Sequence, residues 1–403
     1  MADQAIQGRF DPIAAGDSIR AARVLFVASA LHVCNDAFFA VMYPILPFIA
    51  AELGLSYSQV GLVKTVFTGS SALLQLPAGL LAERWGEYAL LVWGNAWVAA
   101  GLLGVAAAGA FPILLLAALL GGLGGNFQHP LASAIVARAY ERGRRATALG
   151  TLNFAGDLGK MATPALVALA AVPWGWRPTV LGLGLFGLLF TLLVGLARAW
   201  VGALPAARRA TDPSGSATTG RIPPAYWQLS AVGMLDATTR AAALTFLPFV
   251  LKARGFDAGE VSLLFALLFA GGAAGKFVCG LLGDRFGPFA IVVVTELTTA
   301  LALLGLLWSP LVTALVLAII FGFALNGTSS VLYAAVAAFV PEGKRGRGYG
   351  LYYTGTQTAA AVAPLAYGVV ADQLGLIWTV SVMAALTVLV VPLATPIRRR
   401  LAG

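Results

Sequence analysis

The chain has 403 residues, of which 59% are hydrophobic and only 11% are charged. Soluble domains carry about 25% charged residues, so this composition excludes a water-soluble multidomain protein, and its hydrophobicity excludes disorder. A formal net charge of +9 would suit nucleic acid in a soluble chain. Here the basic residues sit in short loops between apolar runs, which is a topology signal and implies no nucleic-acid partner.

Residues 1–22 mix Asp3, Asp11 and Asp17 with Arg9 and Arg20 ahead of any apolar run. That stretch lacks the short basic start of a cleaved signal peptide, so the first apolar helix is expected to stay in the mature protein. Apolar runs follow at 23–50, 58–82, 88–109, 111–138, 146–171, 178–200, 225–251, 259–282, 288–308, 311–340, 346–371 and 374–395. Each is long enough to cross a bilayer as a helix, which takes about 20 residues. None shows the alternation of a membrane-spanning strand. The expected fold is therefore an all-α polytopic membrane protein with twelve transmembrane helices.

Twelve crossings put both termini on one side. That side carries nineteen of the basic residues, among them Arg84, Arg142, Arg144, Arg145, Arg285, Arg345 and Arg398 to Arg400, whereas the other has only Arg177, Lys252 and Arg254. The positive-inside rule makes the richer side cytoplasmic, so a multi-pass protein of the cell membrane with both termini in the cytoplasm is expected. Cys34 and Cys279 lie far apart inside apolar runs. They have neither disulfide nor metal-type spacing and are expected to be packing residues.

The longest polar stretch, Pro205 to Pro224, includes Asp212-Pro213-Ser214-Gly215-Ser216, a composition suited to a flexible linker. It divides the chain into a cytoplasmic segment at 1–22, a six-helix bundle at 23–200, a linker at 201–224, a second bundle at 225–395 and a basic tail at 396–403. The halves match each other. A shift of 201 residues places Pro47 on Pro248, Gly54 on Gly255, Gly79 on Gly280, Arg84 on Arg285 and Gly86 on Gly287 without a gap. A shift of 200 places Asn126 on Asn326, Arg145 on Arg345 and Pro164 on Pro364. This is an internal duplication. Two parallel six-helix repeats form a transporter architecture, with the solute bound between the halves near the membrane midplane.

After the second span the sequence reads Gly79-Leu80-Leu81-Ala82-Glu83-Arg84-Trp85-Gly86, and after the eighth Gly280-Leu281-Leu282-Gly283-Asp284-Arg285-Phe286-Gly287. Both resemble the loop motif of the major facilitator superfamily. In the first copy Glu83 replaces the usual aspartate, and Glu87-Tyr88 replaces the basic pair that normally follows. Leu31-His32-Val33-Cys34-Asn35-Asp36 and His129-Pro130 further resemble the fosmidomycin-resistance type of exporter within that superfamily. In physical terms Gly79, Gly86, Gly280 and Gly287 allow close approach and tight turns. Glu83, Arg84, Asp284 and Arg285 can bridge helix ends in one conformation and release in another. A latch is expected there, with a plain topology anchor as the simpler alternative.

Ionisable groups within spans are costly, by roughly 2.5–3.5 kcal/mol on insertion scales, and so are functional candidates by default. In the first span His32, Asn35 and Asp36 share one helical face, where an imidazole beside a carboxylate can relay a proton. In the fifth, Asn153, Asp157 and Lys160 share a face, with Gly156 and Gly159 allowing close packing; Asp157 and Lys160 are expected to neutralise each other. In the seventh, Asp236 precedes Arg240 by one turn, and the planar fork of Arg240 suits a carboxylate or phosphate. The second span carries a polar stripe of Lys64, Thr68, Ser71 and Gln75, and the eighth places Lys276 at the position the repeat equates with Gln75. Lys64 has the alternative of snorkelling outward. His129, Asn326, Tyr353 and Gln357 are further binding candidates. Glu296 is expected to be structural, because the resemblance places the ninth helix at the periphery.

The proton-coupling candidates are thus His32, Asp36, Asp157 and Asp236. The chain has no Gly-x-x-x-x-Gly-Lys-Ser/Thr loop, Cys-x-x-Cys or His-Glu-x-x-His, so neither ATP hydrolysis nor metal chemistry is expected, and no cofactor is implied. Acids and bases inside the spans balance at four each, which favours an anionic or zwitterionic solute. The resemblance implies export by proton antiport through alternating access in a monomer embedded in lipid. Proton-symport import of an organic anion or sugar-like metabolite is the alternative.

Overall fold

The computed structural model of the chain describes residues 15–73, 81–82, 84–141, 144–202, 223–340 and 345–398. Gln75, Gly79, Glu83 and nearly all of the expected linker lie outside the described residues. Among the described residues there are helices and no strands, and a helix occupies each of the twelve expected spans. Ten are long and apolar enough to cross a membrane. The other two are the second, Tyr57–Leu73, and the eleventh, Arg345–Leu374. The eleventh is more polar because of Gln357 and its neighbours.

Local sequence explains the two interruptions that matter for the site. The first span runs Ala15–Ala40 and then Met42–Leu53, broken at Val41. Pro44 has no N–H to give the Ala40 carbonyl, so the helical ladder loses a bond at that point. The fourth span runs Phe111–Leu123, tightens to a 3₁₀ turn at Gly124–Phe127 and resumes as Gln128–Ala139. Pro130 again withholds a donor from the preceding turn, and such tightened segments mark functional irregularities in helices.

The duplication is visible in the backbone. Gly54 and Gly255, Gly86 and Gly287, and Gly175 and Gly375 all have positive φ, between 63° and 92°. These are equivalent positions at shifts of 200 or 201 residues. Each closes a short connection in a conformation that only glycine adopts without strain.

Burial shows how the halves meet. At the end of the bundle opposite the termini one continuous apolar core draws on both halves, from Ile45, Leu46 and Val60 to Phe246, Leu247, Phe265 and Ala363. At the end near the termini the cores are separate, one around Val24, Leu91 and Ile135 and one around Tyr226, Val292 and Val336. The shared end is closed by glycines: a Cβ on Gly61 would run into the Pro364 backbone, and one on Gly368 into that of Tyr57. There Asp372 accepts hydrogen bonds from the Tyr57 and Ser58 backbone N–H groups, at 2.7 and 2.9 Å. Two of the three basic residues on that side bind carbonyls at helix ends, Arg177 those of Ala106 and Ala108, and Arg254 those of Leu306 and Ser309. Large apolar side chains such as Leu169, Leu196, Leu301 and Val312 are more than 70% exposed, as a lipid-facing surface requires.

Candidate functional site

Between the halves lies a cavity of about 330 Å³. The first span contributes Asn35, Asp36, Phe39 and Tyr43, and the second Lys64, Thr68 and Ser71. The fourth contributes Gly125 and His129, and the fifth Asp157 and Lys160. From the other half come Arg240, Leu244, Phe269, Gly272, Lys276, Asn326 and Gln357. Of the residues singled out by sequence, Asn35, Asp36, Lys64, His129, Asp157, Lys160, Arg240, Lys276, Asn326 and Gln357 therefore share one chamber. His32 and Asp236 stand one layer behind it, against Asp36 and Arg240 respectively.

Glycines set this geometry. A Cβ on Gly156 would come within 2.6 Å of Asp36 Oδ2 and 2.8 Å of His32 Nε2, and one on Gly159 would strike the Val33 carbonyl. Because neither has a side chain, the fifth span lies directly on the first, and Lys160 Nζ reaches Asp36 Oδ2 at 2.8 Å. His32 Nε2 approaches the same oxygen at 3.5 Å, and His129 Nε2 approaches Asp36 Oδ1 at 3.7 Å. The two imidazoles, 97 residues apart in sequence, meet edge to face with centroids 4.9 Å apart. This gathers in one place the residue types that bind and release protons. His32, Asp36 and His129 also bring three ligand-type atoms within 4.8 Å of one another. The cation beside them in this arrangement is the Lys160 ammonium.

The expected self-contained Asp157–Lys160 pair needs correction. Lys160 is 3.3 Å from Asp157 Oδ1, farther than from Asp36. Asp157 is held instead from the other half by Lys276 Nζ, at 2.6 and 2.9 Å. Tertiary packing extends the one-turn pair into a chain, Asp36–Lys160–Asp157–Lys276, that crosses between the halves. Arg240 keeps its one-turn partner: its Nη2 lies 3.1 Å from Asp236 Oδ2.

Lys64 does not snorkel. It is 3% exposed, its ammonium lies 3.9 Å over the Tyr43 ring, and it has no carboxylate partner among the described residues. Asn153 does not line the cavity; it is exposed and donates to the Leu149 carbonyl of its own helix at 3.0 Å. Tyr353 also lies outside the lining, one turn from Gln357, which is in it. Glu296, expected to be structural, is 2% exposed.

Of the expected latch, Gly86 and Gly287 make the tight turns, with φ of 81° and 82°. A Cβ on Gly280 would meet open space, so this glycine is not a site of close approach. Arg84, Asp284 and Arg285 are exposed, and among the described residues none of them forms an ion pair. Arg285 lies over the adjacent Phe286 ring at 5.2 Å. Sequence reading missed the ion pair of Glu87 with Arg138, which ties the start of the third span to the end of the fourth. Its signal was present in the acid that replaces a basic residue at position 87. Phe39 and Phe269 were missed as cavity walls, since aromatic residues within apolar spans carry no distinguishing pattern.

The family model described as Major Facilitator Superfamily matches residues 28–230 and 229–402 of the chain. The "Fosmidomycin resistance protein" of Escherichia coli (strain K12) is 28% identical over 358 residues, which covers 87% of this chain and 86% of the relative. The "Probable sulfoacetate transporter SauU" of Cupriavidus necator is 27% identical over 359 residues, 82% of each chain. Among solved structures, a bacterial homologue of the human lysosomal transporter Spinster, in an inward-facing and occupied conformation, superposes with a TM-score of 0.81. That match has 17% identity and covers 94% of this chain and 96% of the other.

Proposed function

Because the chain belongs to the major facilitator superfamily and is a multi-pass membrane transporter of small solutes rather than an enzyme, we propose that it moves a small organic anion by proton-coupled alternating access. The observation that carries this reading is the charge of the cavity wall. Four cations line it, Lys64, Lys160, Arg240 and Lys276, against two carboxylates, Asp36 and Asp157. With Asp236 behind Arg240, the cations still exceed the acids by one. Lys160 and Lys276 are each paired with carboxylates. Lys64 has only an aromatic face, and Arg240 uses one nitrogen on Asp236, so these two have donors to spare, one in each half. An anion bound between them supplies the missing negative charge. The similarity to a sulfoacetate transporter supports the same class.

The proton is carried by the Asp36 cluster, with Asp157 and Asp236 as the further acids that exchange partners when an anion enters. The joined core at one end and the separate cores at the other support a form open toward the termini. With the termini in the cytoplasm of a multi-pass cell-membrane protein, that form is inward-facing and loads from the cell interior. A monomer suffices, since both walls of the cavity come from one chain. The duplicated loop serves as the latch of the alternate state, which agrees with the exposure of Asp284 and Arg285 in this one.

Similarity to a resistance protein favours export in exchange for protons. A specific contact favours the opposite coupling: an anion that takes Arg240 leaves Asp236 without its cation, so anion and proton load together, as in symport. Proteoliposomes of purified protein with a pH-sensitive dye inside distinguish the two. An inward proton gradient that drives sulfoacetate or another small organic anion out of the lumen marks antiport, and one that drives it in marks symport. Selective movement of cations or neutral sugars in the same panel would overturn the anion reading.

A further inference from the structure

His32 is 2% exposed, yet among the described residues neither of its ring nitrogens has a hydrogen-bond partner. Buried polar groups are nearly always satisfied, so a bare buried imidazole calls for an explanation. Its Nε2 approaches Asp36 Oδ2 at 3.5 Å, and His129 Nε2 stands 3.7 Å from Asp36 Oδ1. Both separations are longer than an ordinary hydrogen bond from nitrogen to oxygen, which spans about 2.7–3.2 Å. They are close to what a shared ion requires: two ligand atoms, each about 2.1 Å from one tetrahedral ion, stand about 3.4 Å apart. The two imidazole nitrogens and the carboxylate oxygen all lie within 4.8 Å of one another, so all three reach a common point with small side-chain rotations.

We propose that His32, Asp36 and His129 form a binding site for a divalent transition-metal ion of the zinc or nickel kind in the wall of the cavity. Two imidazoles and one carboxylate suit these ions and discriminate against magnesium and calcium, which take oxygen ligands. The expectation of no metal chemistry rested on linear motifs, and this donor set is assembled from the first and fourth spans. Asp36 and His129 line the cavity, and the His129 side chain is 47% exposed. The ion therefore enters from the chamber and keeps its remaining coordination positions on that side for water. Lys160, with its Nζ 2.8 Å from Asp36 Oδ2, is the internal competitor. Its ammonium has a second carboxylate in Asp157, at 3.3 Å, toward which it withdraws when the ion takes Asp36. The site goes beyond the anion-transport proposal and does not depend on it.

The chain has only two histidines, and both of its cysteines are buried, which makes the test selective. The full-length protein, purified without a histidine tag, is titrated with zinc by calorimetry. One ion per chain is expected to bind. His32→Gln and His129→Gln should each weaken binding at least tenfold, and Lys160→Gln should strengthen it several-fold, because the competing ammonium is gone. Magnesium should produce no such binding. Zinc affinity unchanged in both histidine variants overturns the site, and unchanged affinity in Lys160→Gln overturns the competition. Where a variant does not fold, the wild-type protein decides alone. With isotopically labelled histidine, the magnetic resonance signals of both imidazoles should shift with the first equivalent of zinc, and signals that stay in place overturn the site. No solute is present in these titrations, so failure of the anion reading in vesicle transport leaves their result unaffected.

Discussion

Lys276 and Asp157 are joined by two contacts, 2.6 and 2.9 Å long, that run from the eighth span to the fifth and so from one half of the molecule to the other. Alternating access requires the halves to move against each other, so a charge pair across the divide bears on the balance between states. Lys276→Gln is expected to leave Asp157 to Lys160 alone and shift that balance by about 1–2 kcal/mol, less than for a fully buried pair because Lys276 is partly solvated. Asp157→Asn with Lys276→Gln should recover part of the loss. Side-specific cysteine labelling of the four proteins, read as a double-mutant cycle, checks the coupling; additive effects would rule it out.

Arg240 bears on solute choice. Arg240→Lys keeps the charge and loses the planar fork, so affinity for an anionic solute should fall by roughly 1–3 kcal/mol. Arg240→Gln should be worse, because it also strands Asp236, and adding Asp236→Asn should relieve part of that. Binding to the three proteins is measured by calorimetry with the anion that vesicle transport identifies. Equal affinity in all three would reduce Arg240 to a structural partner of Asp236.

Asp36 separates coupling from movement. Asp36→Asn removes the carboxylate that Lys160, His32 and His129 surround. Gradient-driven accumulation should be lost, while solute exchange at equal concentrations on both sides continues, since exchange need not cycle the proton. Full accumulation by the mutant would transfer proton carriage to other acids.

The closure at the end opposite the termini should depend on acid. Asp372 is exposed and lies just past the expected end of the eleventh span. Burial pushes its carboxyl upward, but hydrogen bonds from Ser58 and Tyr57 more than offset this and hold it below the ordinary value of 3.8. A depressed carboxylate contributes its stabilisation above the ordinary value and loses it as pH falls through the depressed one. The contact should therefore be intact at pH 7 and weaken below about pH 4. Asp372→Asn imitates the acid form at neutral pH and should cost about 0.5 kcal/mol, the low end for a helix N-terminal cap at an exposed site. Accessibility of a cysteine at Thr65 from that side, followed against pH, reports it. No change in the mutant would assign the closure to the apolar core alone.

Much of the molecule was readable from sequence because the bilayer constrains it strongly. Backbone polar groups in lipid must be satisfied within the segment, so twelve apolar runs mean twelve helices, and the shifted matches from Gly54 and Gly255 to Pro164 and Pro364 disclose the repeat. The placement of Asp36, Lys160 and Arg240 on helical faces also followed from spacing alone. Tertiary structure alone decided which charges meet. Lys160 prefers Asp36 to its own neighbour Asp157 because Gly156 and Gly159 let the fifth and first spans touch where side chains would have held them apart, while Lys276 crosses to Asp157 and His32 meets His129 through the packing of the eighth and fourth spans. Lys64 turns inward onto Tyr43 for a similar reason: the partners of a charge in a membrane are chosen by whichever helices pack against it. Glu296 shows the limit as well, since nothing in the ninth span's sequence indicates that its side chain is buried.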